Sequence, residues 1–276
     1  MGDDDTAENI SNGTEFFNLP HEIYEKALNE VINNNCKLSK DQYEIVYSAG
    51  SVKGDNYIGI VYRICVKDKK DHSEHLNLIV KLPPQHAARR EQFFVRPCFL
   101  READFYDNLY PMYEKFQREK GINVDHDGFH HIPFCYKTLT DDPFEGLYFE
   151  DLKAKGFEMF DRFKDVTREQ VILVMKALAK MHAIFFSIKD QKPHLIQSYR
   201  EMVDIFLQRE NDENMNLWFE NVKKQAKDTI SNFTNQDLLK KIDDLLKLKF
   251  FELLKLCITS EHAEPYAIVC HGDVSI

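Results

Sequence analysis

Positive charge is what this chain has too little of. Its 36 Lys and Arg residues are outnumbered by 46 Asp and Glu, leaving a formal net charge of −10. Nucleic acid and anionic membrane surfaces select basic patches, so neither is an expected partner. Any phosphate site must then be local, built from backbone N–H groups and one or two lysines. The six cysteines, Cys36, Cys65, Cys98, Cys135, Cys257 and Cys270, include no C-x-x-C pair. The start, Met1-Gly2-Asp3-Asp4-Asp5, is acidic and carries no secretory signal. Together these point to free thiols and a cytoplasmic location. The glycosylation sequons at Asn9, Asn12 and Asn232 then have no role. No uninterrupted run of 18 apolar residues occurs, so no membrane span is expected. Met1-Gly2 with Thr6 matches a myristoylation pattern, but no basic patch adds a second anchor. No internal repeat or low-complexity segment is present.

What remains is the composition of a globular protein, 43% hydrophobic and 30% charged, with enough length for one large domain or two lobes. Residues 1–17 are polar and acidic and are expected to form a disordered tail. A helical pattern follows to about Asn33, with Ile23, Ala27 and Val31 on one face. Ser39 and Gln42 imitate a helix capping box, but Tyr43 to Tyr47 alternate with period two, so a strand is expected. Only ten glycines occur in the chain, and two of them, Gly50 and Gly54, fall in the next turn with Ser51, Lys53, Asp55 and Asn56. Such a turn between strands suits either an ordinary hairpin or a loop whose backbone N–H groups face a polyphosphate. Strands are expected over 58–66 and 76–82. Lys81 lies late in the second, where it either snorkels from the strand end or meets phosphates and an acidic partner. Glu102 is the candidate partner, on a helix expected from about residue 91 or 94 to 118, with Phe94, Cys98, Phe105 and Leu109 as its stripe and breaks near Pro97 and Pro111.

The loop Asp125-His126-Asp127-Gly128-Phe129-His130-His131 is better suited to solvent than to a metal, since its ligand types are crowded in one place. Strands are expected over 132–138 and 146–149. Glu150-Asp151-Leu152 then forms an acidic, extended joint between lobes whose backbone groups suit an adenine edge. From there the pattern turns helical. Thr167 and Gln170 form a capping box opening a strong helix. His182 falls on its apolar face, where a satisfied core histidine is a better reading than a catalytic base. Further helices are expected over about 196–228 and 235–258. A short apolar run, 266–269, is expected as a strand, with His271-Gly272-Asp273 as the turn leaving it. An Asp on such a turn can take the proton of a substrate hydroxyl during phosphoryl transfer. Three residues also fit an ordinary turn.

Several ordered motifs together resemble the insect ecdysteroid-kinase-like, or choline/ethanolamine-kinase-like (CHK), family, relatives of aminoglycoside phosphotransferases. They are Gly50 with Ser51, Lys53, Gly54, Asp55, Asn56 and Tyr57; Lys81 at the end of Leu78-Ile79-Val80-Lys81; Glu102 within Phe99-Leu100-Arg101-Glu102-Ala103-Asp104-Phe105-Tyr106; Phe149-Glu150-Asp151-Leu152; Leu178-Ala179-Lys180-Met181-His182-Ala183; and Cys270-His271-Gly272-Asp273. The resemblance implies an α+β, two-lobed protein-kinase-like fold, with residues 18–150 as the nucleotide-binding lobe and 151–276 as a helical lobe. It implies ATP-dependent phosphorylation of a small-molecule hydroxyl, ecdysteroid alcohols being the class associated with the family, with Mg as the metal. Residues 50–56 would cover the phosphates, Lys81 held by Glu102 would contact them, Glu150 to Leu152 would form the adenine hinge, and Asp273, its loop shaped by His271 and Gly272, would be the base. Family members continue through an Asn and a metal-binding Asp that would lie beyond Ile276. The expectation is therefore an incomplete helical lobe and an inactive chain; the alternative is a non-catalytic kinase-like protein acting by nucleotide or partner binding.

Overall fold

In the computed structural model, residues 18–51, 58–161, 163–230, 235–247 and 249–272 are described. They form two compact units, one reaching Val174 and the other starting at Met175.

The first unit begins with helix α1 (Glu22–Asn35). His21 caps it, its ring Nδ1 accepting the Ile23 N–H at 3.2 Å, and Glu22 and Glu25 place negative charge in the first turn. Tyr24, Ala27, Leu28, Val31 and Ile32 recur at helical spacing and form its buried face. Next come strands β1 (Tyr43–Ala49), β2 (Ile60–Asp68) and β3 (Glu74–Leu82). The Ser39–Gln42 pair closes a turn before β1, with the Gln42 N–H donating to the Ser39 carbonyl at 2.8 Å, and starts no helix. Helices α2 (Ala87–Gln92), α3 (Val95–Asp104) and α4 (Tyr110–Glu119) follow, then strands β4 (Cys135–Leu139) and β5 (Gly146–Glu150). The sheet is antiparallel throughout, in the order β1-β2-β3-β5-β4.

Period-two alternation decides which side chain goes to which face. On β3, Leu76, Leu78, Val80 and Leu82 point to one face and are buried with Tyr62, Ile64 and Val66 of β2 under α1. The opposite face carries Ile79 beside Leu147 and Phe149 of β5, covered by Val95, Phe99 and Ala103 of α3. Each fully buried aliphatic side chain contributes about 1.5–3 kcal/mol, so these two layers account for most of the cohesion of the unit.

The helix expected from about residue 91 or 94 to 118 runs without a gap from Val95 to Glu119, through α3, a π-helical stretch and α4, and a separate short helix, α2, precedes it. Phe94 sits at φ 51°, in the left-handed region, and separates α2 from α3. Pro97 falls in the first turn of α3, where its missing N–H costs little. A π-helical turn, Phe105–Leu109, precedes Pro111, and the Tyr110 N–H reaches back to the Phe105 carbonyl. Because α3 starts at Val95, its buried stripe is Val95, Phe99 and Ala103 in place of Phe94, Cys98 and Phe105, while Leu109 is buried as expected. Glu145 at the β4–β5 turn is fully buried and bonded to Arg90 and Arg96, a cluster that no sequence pattern announced.

Helix α5 (Arg168–Gln191) opens with the expected capping box: the Thr167 N–H donates to Gln170 Oε1 at 2.8 Å and the Gln170 N–H to Thr167 Oγ at 3.2 Å. It begins in the first unit and runs into the second. Lys176 and Lys180 keep it from being an uninterrupted apolar run, yet by length and composition alone α5 is long and apolar enough to cross a membrane. Met181, Ile184, Phe185 and Ile188 on it are buried. The second unit continues with α6 (Gln197–Arg200), α7 (Glu213–Ile230), α8 (Gln236–Leu246) and α9 (Phe250–Ile258). The helix expected over 196–228 is thus interrupted by turns around 201–212, and that over 235–258 is two helices. Phe219 stacks on Phe250 with ring centroids 3.4 Å apart. The run 266–269 is irregular instead of a strand, since no strand among the described residues of this unit is there to pair with it.

Candidate functional site

Lys81 and Glu102 meet. Lys81 faces away from α1, as its neighbours Val80 and Leu82 require, and its Nζ lies 2.6 Å from Glu102 Oε2 on α3. The same amine lies 5.7 Å from the centre of the ring of Phe99, also on α3. The two side chains are 27% and 33% exposed. A pair that wet contributes about 1 kcal/mol or less to stability, so folding alone gives little reason to keep a lysine there. What it does provide is an oriented ammonium with reach toward solvent.

Gly50 belongs to the same neighbourhood. Its N–H donates to the Val61 carbonyl at 2.8 Å, and Val61 is the register partner of Lys81. Gly50 and Lys81 therefore flank one residue of β2. A Cβ at Gly50 would fall 2.5 Å from Val61 Cγ1 and 3.0 Å from its carbonyl oxygen, so the close approach of β1 to β2 requires glycine. Ser51 follows at the start of the connection. Gly59, which sequence reasoning missed, closes the other end: a Cβ there would lie 2.9 Å from the Leu82 carbonyl. Lys53, Gly54, Asp55 and Asn56 lie outside the described residues.

The acidic joint after β5 is bound into the sheet. The Glu150 N–H donates to the Phe134 carbonyl at 2.9 Å, and Glu150 Oε1 accepts the Phe134 N–H at 2.9 Å. Its other oxygen pairs with Lys155. The Asp151 N–H donates to the Asn77 carbonyl at 3.1 Å, so the amides of both residues are used by the fold. Buried Asp151 accepts from Arg63 Nε at 2.6 Å and from the Lys153 N–H at 3.0 Å, which starts the 3-10 turn Leu152–Lys155. Arg63 projects from β2 on the face opposite α1, the face of Lys81. Nothing in the sequence singled it out, although an arginine alternating with buried Tyr62 and Ile64 had to face that way.

Two thiols lie near the lysine pair. Burial pushes the Cys98 thiol up, with Lys81 and Arg101 opposing, and burial pushes the Cys135 thiol up to about 12. Both are protonated at neutral pH and unsuited to nucleophilic chemistry.

In the second unit, Lys189 of α5 organises the segment leading to His271. Its Nζ pairs with Glu264 and donates to the carbonyls of Pro265 at 2.9 Å and Ala267 at 3.0 Å. The Lys189 hydrogen bond holds the Glu264 carboxyl below its usual range. His271 is exposed, and Gly272 sits at φ 86°, where a side chain would be strained. Asp273 lies outside the described residues. His182 departs from the satisfied core histidine that was expected: its buried Nε2 has no hydrogen-bond partner among the described residues, and burial pushes its pKa down. No group of three or more His, Cys, Asp or Glu side chains among the described residues is arranged to hold a metal ion, the 125–131 loop included.

A family model described as the ecdysteroid kinase-like family matches residues 53–276 of this chain. No curated protein and no solved structure matches it.

Proposed function

The chain belongs to the ecdysteroid kinase-like family, and on that premise we propose that it binds ATP through its first unit and transfers phosphate to the hydroxyl of a small-molecule alcohol of the ecdysteroid type. Its family makes it kinase-like, a phosphotransferase by kinship. The observation that carries the nucleotide reading is the 2.6 Å contact between Lys81 and Glu102, one β2 residue away from the glycine turn at Gly50.

ATP supplies the transferable γ-phosphoryl group. Lys81 neutralises phosphate charge, and Glu102 fixes the direction of its amine. Residues 50–56 are assigned to the phosphates by the family resemblance, and of these Gly50 is held against Val61, the residue opposite Lys81. The joint at Glu150 to Leu152 borders the base. With the amides of Glu150 and Asp151 engaged in the fold, recognition of an adenine edge there falls to Leu152 and to carbonyl oxygens. Asp273, next in the chain after His271 and Gly272, is assigned the role of base toward the acceptor hydroxyl. Mg fits the chemistry of a phosphotransferase, but no described residue is assigned to it and no step is routed through it.

The deciding experiment is ATP turnover with and without Mg across a panel of steroid alcohols and simpler alcohols, using the wild-type chain and Asp273→Asn. Mg-dependent phosphorylation lost in Asp273→Asn supports the proposal in full. ATP binding without turnover retains the nucleotide site and removes the transferase step. No binding of ATP removes both.

A further inference from the structure

Two arginines on separate helices converge on one buried carboxylate. Glu145 is fully buried. Arg90 of α2 donates from Nη2 to Glu145 Oε2 at 2.6 Å. Arg96 of α3 bonds Oε1, and its Nη1 also donates to the Thr140 carbonyl at 3.1 Å. Burial works against the charged carboxyl, but the hydrogen bonds from Arg90 and Arg96 hold it below its ordinary range.

A buried ion cluster is a poor choice if cohesion is the only aim, because apolar side chains of similar volume usually serve as well or better. Apolar packing tolerates sliding; paired charges fix register. Glu145 immediately precedes β5, and Leu147 of β5 is the register partner of Lys81. Arg96 and Glu102 share α3. The cluster therefore joins the strand beside Lys81 to the helix that carries Glu102. Helix α3 needs such a tie, since the left-handed Phe94 breaks its continuity with α2 and the π-helical turn follows its other end.

We propose that Glu145, with Arg90 and Arg96, is a positioning clamp that sets α3 against β3 and β5 so that Glu102 reaches Lys81. Its importance for phosphoryl transfer rests on the nucleotide reading above, but the clamp concerns the geometry of the pair and is tested without nucleotide. Lys81 is pulse-acetylated with acetic anhydride and its modification measured by peptide mass spectrometry, with Lys26, whose side chain is 68% exposed, as internal reference. Breaking the pair in Glu102→Gln frees the amine and is expected to raise Lys81 labelling about fivefold. Glu145→Gln is expected to give a similar rise, and the double variant no further rise, as for residues acting through one contact. Arg96→Ala also raises labelling, and Arg96→Lys restores part of the protection. Tyr148→Phe, which removes the hydrogen bond to the Tyr24 carbonyl on the α1 side, lowers stability and leaves Lys81 labelling unchanged.

Unchanged Lys81 labelling in a folded Glu145→Gln, or additive rises in the double variant, overturns the clamp. If Glu145→Gln does not fold, Arg96→Ala decides by the same criteria, its side chain being partly exposed and its loss milder. Repeating the wild-type labelling with Mg and ATP separates the two ideas. Absence of nucleotide protection counts against the ATP site alone and leaves the clamp to be judged by the variants.

Discussion

Glu102 and Glu145 are carboxylates within one small region, yet they answer to different physics. Glu102 is wet and contributes orientation; Glu145 is dry and contributes register. Replacing Lys81 by Met or Glu102 by Gln is therefore expected to leave the melting temperature nearly unchanged while weakening ATP binding by about tenfold to a hundredfold, the usual worth of a charge-assisted contact. Calorimetric titration with ATP checks this. Glu145 behaves in the opposite way. Its folded-state pKa is lowered from an ordinary value of about 4.5, so its contribution to stability is present above that value and is lost as pH falls below it. Melting curves from pH 7 to pH 3 should show a steeper acid loss for the wild type than for Glu145→Gln, which begins less stable. At Gly50 the constraint is steric. Gly50→Ala pushes a methyl group into Val61 and its carbonyl and is expected to cost about 1–3 kcal/mol, read from a denaturant midpoint.

At the scale of elements, caps and alternation were plain in the sequence because their signals are local. The Thr167–Gln170 box is such a signal, and Thr167→Ala is expected to cost about 1 kcal/mol and to raise amide exchange selectively in the first turn of α5. Strands β1, β2, β3 and β5 were legible for the same reason, to within two residues at their ends. Less legible were the places where tertiary contacts overrule local preference. A restart at Phe94 changes which residues of α3 are buried, and no propensity marks a phenylalanine for the left-handed region. Nor does any spacing rule connect Arg90 and Arg96 to Glu145, or Arg63 to Asp151, because those pairs join segments distant in sequence. The Lys81–Glu102 pair was legible as a candidate, because a lysine late in an apolar strand needs an acidic partner and Glu102 lay near the edge of the helix stripe; periodicity alone still left the lysine free to snorkel.

Over the whole chain, the sequence marked a change from strands to helices near residue 150. The division into compact units falls within α5, between Val174 and Met175, residues 151–167 and the first turns of that helix being counted with the sheet-bearing unit. The sheet is a two-sided object. Its Lys81 face is served by α3, but its other face depends on α1, and both α1 and β1 precede Lys53, where the family match starts. A recombinant fragment trimmed to the family's limits would thus strip the roof from Tyr62, Ile64, Val66, Leu78 and Val80. Such a fragment should be recovered in inclusion bodies, whereas one starting at residue 18 should be soluble. Boundaries drawn from kinship and boundaries drawn from packing do not coincide in this protein, and protein production has to follow the second.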